Sequence, residues 1–85
     1  MIKQTGNVVH YRGQPVSSAN FVRLVRSALL GSPVCVMLKN GGRFSVVRVE
    51  LATRSGAVTL YGESSAYDLS ECERMVDQHG DDLVF

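Results

Sequence analysis

The sequence predicts an α+β domain of two layers, an antiparallel sheet of three to five strands with helices packed on it. Three stretches carry that expectation. Residues 33–63, PVCVMLKNGGRFSVVRVELATRSGAVTLYGE, alternate with the two-residue period of strands and are broken by glycine-bearing turns. Residues 17–30 place apolar side chains at helical spacing, and residues 68–79 do so again. The predicted order is β-α-β-β-β-α, and a chain of 85 residues reads as a single domain, 1–85.

Residues 8–16, VVHYRGQPV, read as a strand, a tight turn at Arg12-Gly13 and a short return. Pro15 has no N–H to give a ladder, so the return is an edge strand or no strand. An alternative hairpin pairs residues 2–5 with 8–11 across Gly6-Asn7, and the sequence leaves both open. In the first helix Ser17 is the expected N-cap, with Val16 packing on Phe21 as a hydrophobic staple. Phe21, Val22, Leu24, Val25, Ala28 and Leu29 fall on one side, while Arg23 and Arg26 lie opposite with Ala19 and Leu30 beside them. Gly31 ends the helix and Pro33 prevents its continuation.

The first of three consecutive strands, residues 33–39, turns Val34, Val36 and Leu38 to one face. Asn40-Gly41-Gly42 supplies the positive φ that a hairpin needs. Along residues 43–51 the phase changes: Phe44 and Val46 share one face, then Val47, Val49 and Leu51 the other, and a β-bulge near Val46-Val47 would bring both sets inward. Arg54-Ser55-Gly56 is the next turn, and residues 57–61 point Val58 and Leu60 inward. The second helix opens on Asp68 and Glu71, which have the spacing of a capping box. Leu69, Cys72, Met75, Val76 and His79 share its narrow face, and Gly80 closes it. The apolar tail Leu83-Val84-Phe85 is expected to fold back on its own sheet, with docking onto a partner as the alternative. The expected core between helix and sheet is Leu24, Val25, Leu29, Val36, Leu38, Val47, Val49, Val58 and Leu60, with Leu29 a better truncation probe than Val25 and Leu29→Ala expected to cost about 2–5 kcal/mol. Over residues 18–62 the helix, the short Pro-containing link and the V-x-V-x-L strand resemble small accessory proteins of phages and plasmids, a pattern that names no family and carries over no functional residue.

An apolar content of 45% with 20% charged residues is that of a globular chain. No apolar run approaches the roughly 18 residues of a membrane span. The start lacks the apolar stretch of a signal peptide, and two cysteines are too few for a disulfide scaffold, so the expected compartment is the cytoplasm. Neither phosphate-binding glycine motif occurs. Cys35, Cys72, His10 and His79 lack ligand spacing for a metal. Cys72 and His79, nearly two helical turns apart, would stand about 10 Å from each other along the axis. Cys35 sits in an apolar run, which disfavours the thiolate, and capping accounts for the serines that precede helices. His79 is expected to sit near a helix C-terminus as a structural histidine. Tyr61 and Tyr67 could stack on bases, though ordinary packing explains them. These readings point to no catalytic residues, no metal, no cofactor, no small-molecule substrate and no enzyme.

The charges divide along the chain. Residues 1–62 hold eight basic residues against the single acid Glu50, a formal +7, and residues 63–85 hold seven acids against Arg74, a formal −6. One expectation is that the second helix lies across the basic sheet and neutralises it. The other is that the charges meet a partner. The leading reading is a small non-enzymatic binding protein, an accessory factor, regulator or inhibitor that acts by protein–protein contact and self-associates as a homodimer. Its expected contact residues are Arg23, Arg26 and Leu30 on the first helix, meeting Glu73 and Asp77, one turn apart on the second helix of an identical partner. The alternative is nucleic-acid binding through Arg23, Arg26, Arg43, Arg48 and Arg54, against which the near-zero net charge of +1 counts.

Overall fold

In the computed structural model, which describes residues 2–84, strands and one α-helix alternate in an order different from the expected one. Three strands come first: β1 (Lys3–Thr5), β2 (Val8–Tyr11) and β3 (Gln14–Ser17). Helix α1 (Ser18–Gly31) follows, then β4 (Cys35–Leu38), β5 (Arg43–Ser45), β6 (Arg48–Leu51), β7 (Val58–Tyr61) and β8 (Ala66–Asp68). A single 3₁₀ turn (Leu69–Glu71) leads into β9 (Cys72–Val76). The nine strands form three antiparallel sheets, ordered β1-β2-β3, β5-β4-β9 and β6-β7-β8. The molecule is therefore mostly β, and the two-layer α+β arrangement with two helices is overturned.

Both candidate N-terminal hairpins form, because β2 pairs with β1 on one side and β3 on the other. Arg12 and Gly13 take φ of 55° and 79°, the left-handed pair that a two-residue I′ turn demands. Pro15 lies in β3, an edge strand whose missing N–H breaks no interior ladder. Ser17 caps α1 as expected, with its Oγ accepting from the Asn20 N–H at 3.2 Å. Val16 packs against the core cluster that contains Phe21.

The expected long strand over 43–51 is two strands at a corner. The Val46 N–H donates to the Val34 carbonyl, whereas the Val47 N–H donates to the Tyr61 carbonyl. One residue belongs to the sheet of β4 and the next to that of β7, so the chain changes sheets between two adjacent valines. Val46 is buried and Val47 is 55% exposed, so the phase change is real but Val47 does not enter the core. Phe44 and Leu51 pack partly against the core, and Val49 is fully buried.

The expected helix over 68–79 is the larger correction. Asp68 and Glu71 do interact as a capping box, the Asp68 N–H donating to Glu71 Oε2 at 3.0 Å, but the box opens one turn only. The chain then extends into β9. Opposite the Met37/Leu38 step the register shifts, so that Met37 faces Arg74 and Leu38 faces Cys72, leaving Glu73 as the extra residue of a bulge. That insertion lets Cys72 and Met75, three apart, both turn inward. The spacing imitates one helical turn. The tail does fold back: the Leu83 N–H donates to the Met75 carbonyl at 3.0 Å and Asp82 bridges to Val76. Leu83 is buried, and Phe85 lies outside the described residues.

Core residues come from every layer. Val25, Val36, Leu38, Val49, Val58 and Leu60 are buried as expected, while Leu29 is only partly covered and Leu24 is half-buried. Ile2 just before β1, Val9 and Tyr11 of β2, and Leu69, Cys72 and Met75 from the last segment join Phe21, Val22, Val34, Val46 and Leu83 in the same cluster. The Tyr11 hydroxyl donates to the Leu83 carbonyl at 2.7 Å, which ties the first sheet to the tail. Burial pushes the Tyr11 phenol up to about 12, with the Asp82 carboxylate adding to the rise.

Candidate functional site: an arginine-rimmed apolar surface at the sheet corner

The corner between β5 and β6 meets the end of α1. Leu29 and Leu30 face Val47 across a shallow concavity, and a neighbouring concavity continues past Arg26, Arg48 and Glu50. Leu30 is 91% exposed, the most open large apolar side chain among the described residues. The corner explains the exposure of Val47. Where the chain passes from one sheet to the other, Val46 turns into the core and Val47 away from it, and α1 has already ended at Gly31.

Arginines border this spot. Arg26 does not simply project into water. Its Nη2 donates to the Val49 carbonyl at 3.3 Å, which spans the gap from α1 to β6. Arg48 lies over the Tyr61 ring at 4.3 Å from the centroid and pairs with Glu50 at 3.4 Å. The Tyr61 hydroxyl donates to Glu50 Oε2 at 3.3 Å, so Glu50 is already committed to its neighbours. Arg23 is exposed three residues before Arg26 on the helix, a neighbour on the helix surface.

The remaining expected site residues sit elsewhere. Arg43 begins β5 and Arg54 lies in the turn after β6, and neither lines the concavity that holds Arg26 and Arg48. Glu73 and Asp77 are not one turn apart on a helix. Glu73 is the bulge residue of β9. Asp77 follows the strand, and its Oδ1 accepts from the backbone N–H groups of His79 at 2.8 Å and Asp81 at 3.1 Å. His79 belongs to this exposed turn and has no helix terminus beside it. Tyr67 packs on Phe44 with ring centroids 4.8 Å apart, as ordinary packing predicts.

The neutralising helix does not exist, and no ion pair among the described residues joins the basic stretch to the acidic one. Arg48–Glu50 lies within the first, and Arg74–Asp82, at 2.8 Å, within the second. No cluster of three or more potential metal ligands occurs among the described residues. The two cysteines are free thiols, and burial raises that of Cys72 to about 12, which holds it as an inert core side chain. No helix of the described residues is long and apolar enough to cross a membrane.

Reading the residues alone missed Val47 as a surface residue and Arg48 as the neighbour of Leu30. The available signal was the phase change at the Val46-Val47 pair, which a bulge or a change of sheet can produce, and the structure has the change of sheet. Comparison with protein-family models, curated proteins and solved structures finds no match to this chain.

Proposed function

We propose that this chain is a small non-enzymatic binding protein, an accessory factor, regulator or inhibitor, that works by protein–protein contact through the Leu30–Val47 surface. The observation that carries this reading is Leu30 at 91% exposure beside the 55% exposed Val47, between Arg26 and Arg48. Burying a leucine side chain is worth about 1.5–3 kcal/mol, which a partner covering Leu30 and Val47 together would supply. Arginine beside exposed apolar groups is a composition that interface cores favour. The cytoplasm is the compartment this reading assumes, and the free thiols suit it.

Arg48 against Tyr61 also favours a second reading, a stacking site for nucleic acid. Glu50 weakens it, because that carboxylate holds both partners and would face the phosphates. The test places a photoreactive residue at position 30 and, as a control, at position 8, where Val8 is 38% exposed on the first sheet. A specific protein crosslink at position 30, lost on adding Arg26→Glu, is the expected result. Equal labelling at both positions would overturn the reading. A mobility shift with DNA or RNA that falls steeply with salt would favour the second.

A further inference from the structure

The tip of the first hairpin breaks a local rule. Arg12 takes φ of 55°, and no other non-glycine residue among the described residues has a positive φ. A two-residue I′ turn favours asparagine, aspartate or glycine at this position, and a long side chain is uncommon there. No contact inside the chain accounts for the arginine. Its side chain is exposed and forms no ion pair among the described residues. Glu73 and Asp82 border it across a small concavity, but Asp82 is held by Arg74 and neither carboxylate comes within 4 Å of the Arg12 guanidinium. A residue kept in a disfavoured conformation without local compensation points to function.

On its other side Arg12 borders a concavity of about 410 Å³, within the size range of small-molecule sites. Tyr11 and Val16 of the β2–β3 hairpin, Leu24 of α1 and Val84 of the tail form its apolar walls. Tyr11 contributes its ring, because its hydroxyl is held by the Leu83 carbonyl. Arg12 and Gln14 supply the polar groups, and Arg12 is the one charged residue of the lining. A guanidinium forks onto a carboxylate, a carboxamide N–H can add a bond to it, and the walls suit an apolar body. We propose that this concavity binds a small organic carboxylate, with its charge on Arg12 and Gln14 and its tail against Tyr11, Val16, Leu24 and Val84. The ligand would join three segments distant in the chain and so bind the folded state alone, which stabilises it. The site shares no residue with the Leu30–Val47 surface and does not depend on the contact reading above.

Three probes separate the parts of this match. Octanoate has charge and tail, acetate the charge alone, and octylammonium the tail with the opposite charge. Amide chemical shifts should report a saturable octanoate site at the hairpin tip, Leu24 and Val84, with a Kd of about 1 mM or below, and at least about tenfold weaker binding of acetate and octylammonium. Arg12→Asn suits the left-handed turn and removes the charge. It should hold or raise the thermal midpoint of the free protein while weakening octanoate at least about tenfold. Val84→Asp, at a position 73% exposed, should weaken octanoate with the turn intact. Equal binding of octanoate and octylammonium, octanoate binding unchanged in Arg12→Asn, shifts centred on Leu30, or no saturable shift at all would each overturn the proposal. A lower midpoint for free Arg12→Asn would overturn it as well, because the arginine would then already serve the fold. Phe85 follows Val84 and lies outside the described residues, so the titration is repeated on a chain ending at Val84. Equal affinity in both chains is expected, and octanoate binding confined to the shortened chain would assign the concavity to Phe85 and overturn the proposal.

Discussion

At Gly56 the backbone turns with φ of +76°, and an added Cβ would run into Asn7 Oδ1 and lie 3.0 Å from the Gly6 carbonyl oxygen. Two requirements coincide there: a left-handed conformation, which costs other residues about 1–2 kcal/mol, and close approach of the β6–β7 turn to the β1–β2 turn. Gly13 has the first requirement alone, with φ of +79° and nothing within 4 Å of the place a methyl group would take. Gly56→Ala should therefore lower stability more than Gly13→Ala by at least about 1 kcal/mol, read as the difference in urea midpoints. Equal effects would mean that the two turns do not press together. The buried acids make a second prediction. Tyr11 and Cys72 both have ionisations raised to about 12, from 10.0 and 9.0, chiefly by desolvation. A raised value means that the folded state holds its proton more tightly. The contribution is complete below the unfolded values and is lost as pH climbs through the folded ones, so stability should decline from about pH 9 toward 12. Cys72→Ala should flatten the early part of that decline, and an unchanged profile would place the thiol in contact with water.

At the scale of the element, α1 divides its burden unevenly. Phe21 and Val25 are fully buried, whereas Leu29 is partly covered at the open corner. Phe21→Ala should cost about 3–5 kcal/mol and Leu29→Ala less than about 2, the reverse of singling out Leu29. Comparable losses in chemical denaturation would show that the corner is better packed than its exposure implies. This helix was legible in the sequence because its cap, apolar stripe and Pro33 stop all act locally. So were the Asn40-Gly41-Gly42 turn, where the Gly42 N–H donates to Asn40 Oδ1 at 2.8 Å, and the inward positions of β4 and β7. β9 was not legible. Its Asp68–Glu71 box is a true helix signal that a single 3₁₀ turn satisfies, and the Glu73 bulge gives Cys72 and Met75 a helical spacing inside a strand. Only pairing with β4, more than thirty residues earlier in the chain, decides between the two states. Half of the candidate surface was legible, Arg26 and Leu30 from the helix, and half was not, because Val47 faces outward through a corner that two sheets make together.

At the scale of the whole molecule, one polar side chain holds the first sheet to the third. The two Nε2 hydrogens of Gln4 in β1 are shared among the Gly56 carbonyl, Ser18 Oγ at 3.1 Å and the Gly6 carbonyl at 3.2 Å, and its Oε1 accepts from the Val58 N–H at 3.4 Å. The amide thereby links the β1–β2 turn, the start of α1, the β6–β7 turn and the first residue of β7. Apolar contacts of Ile2, Val9 and Tyr11 bind the same sheet to the core, but they do not fix its orientation as directional bonds do. Gln4→Ala would leave the Gly56 carbonyl and the Val58 N–H without this partner at a part-buried site, at a cost of about 1–3 kcal/mol. Gln4→Glu keeps the acceptor and removes the donors, so it should restore protection at Val58 only in part. Hydrogen exchange at the Val58 amide is the direct readout. Faster exchange there, with Val36 and Met75 in the second sheet unchanged, is expected if the first sheet is a clasp that opens locally. A uniform rise across all three sheets would instead make the N-terminal strands part of a single cooperative core, with Gln4 contributing no more than any other hydrogen bond.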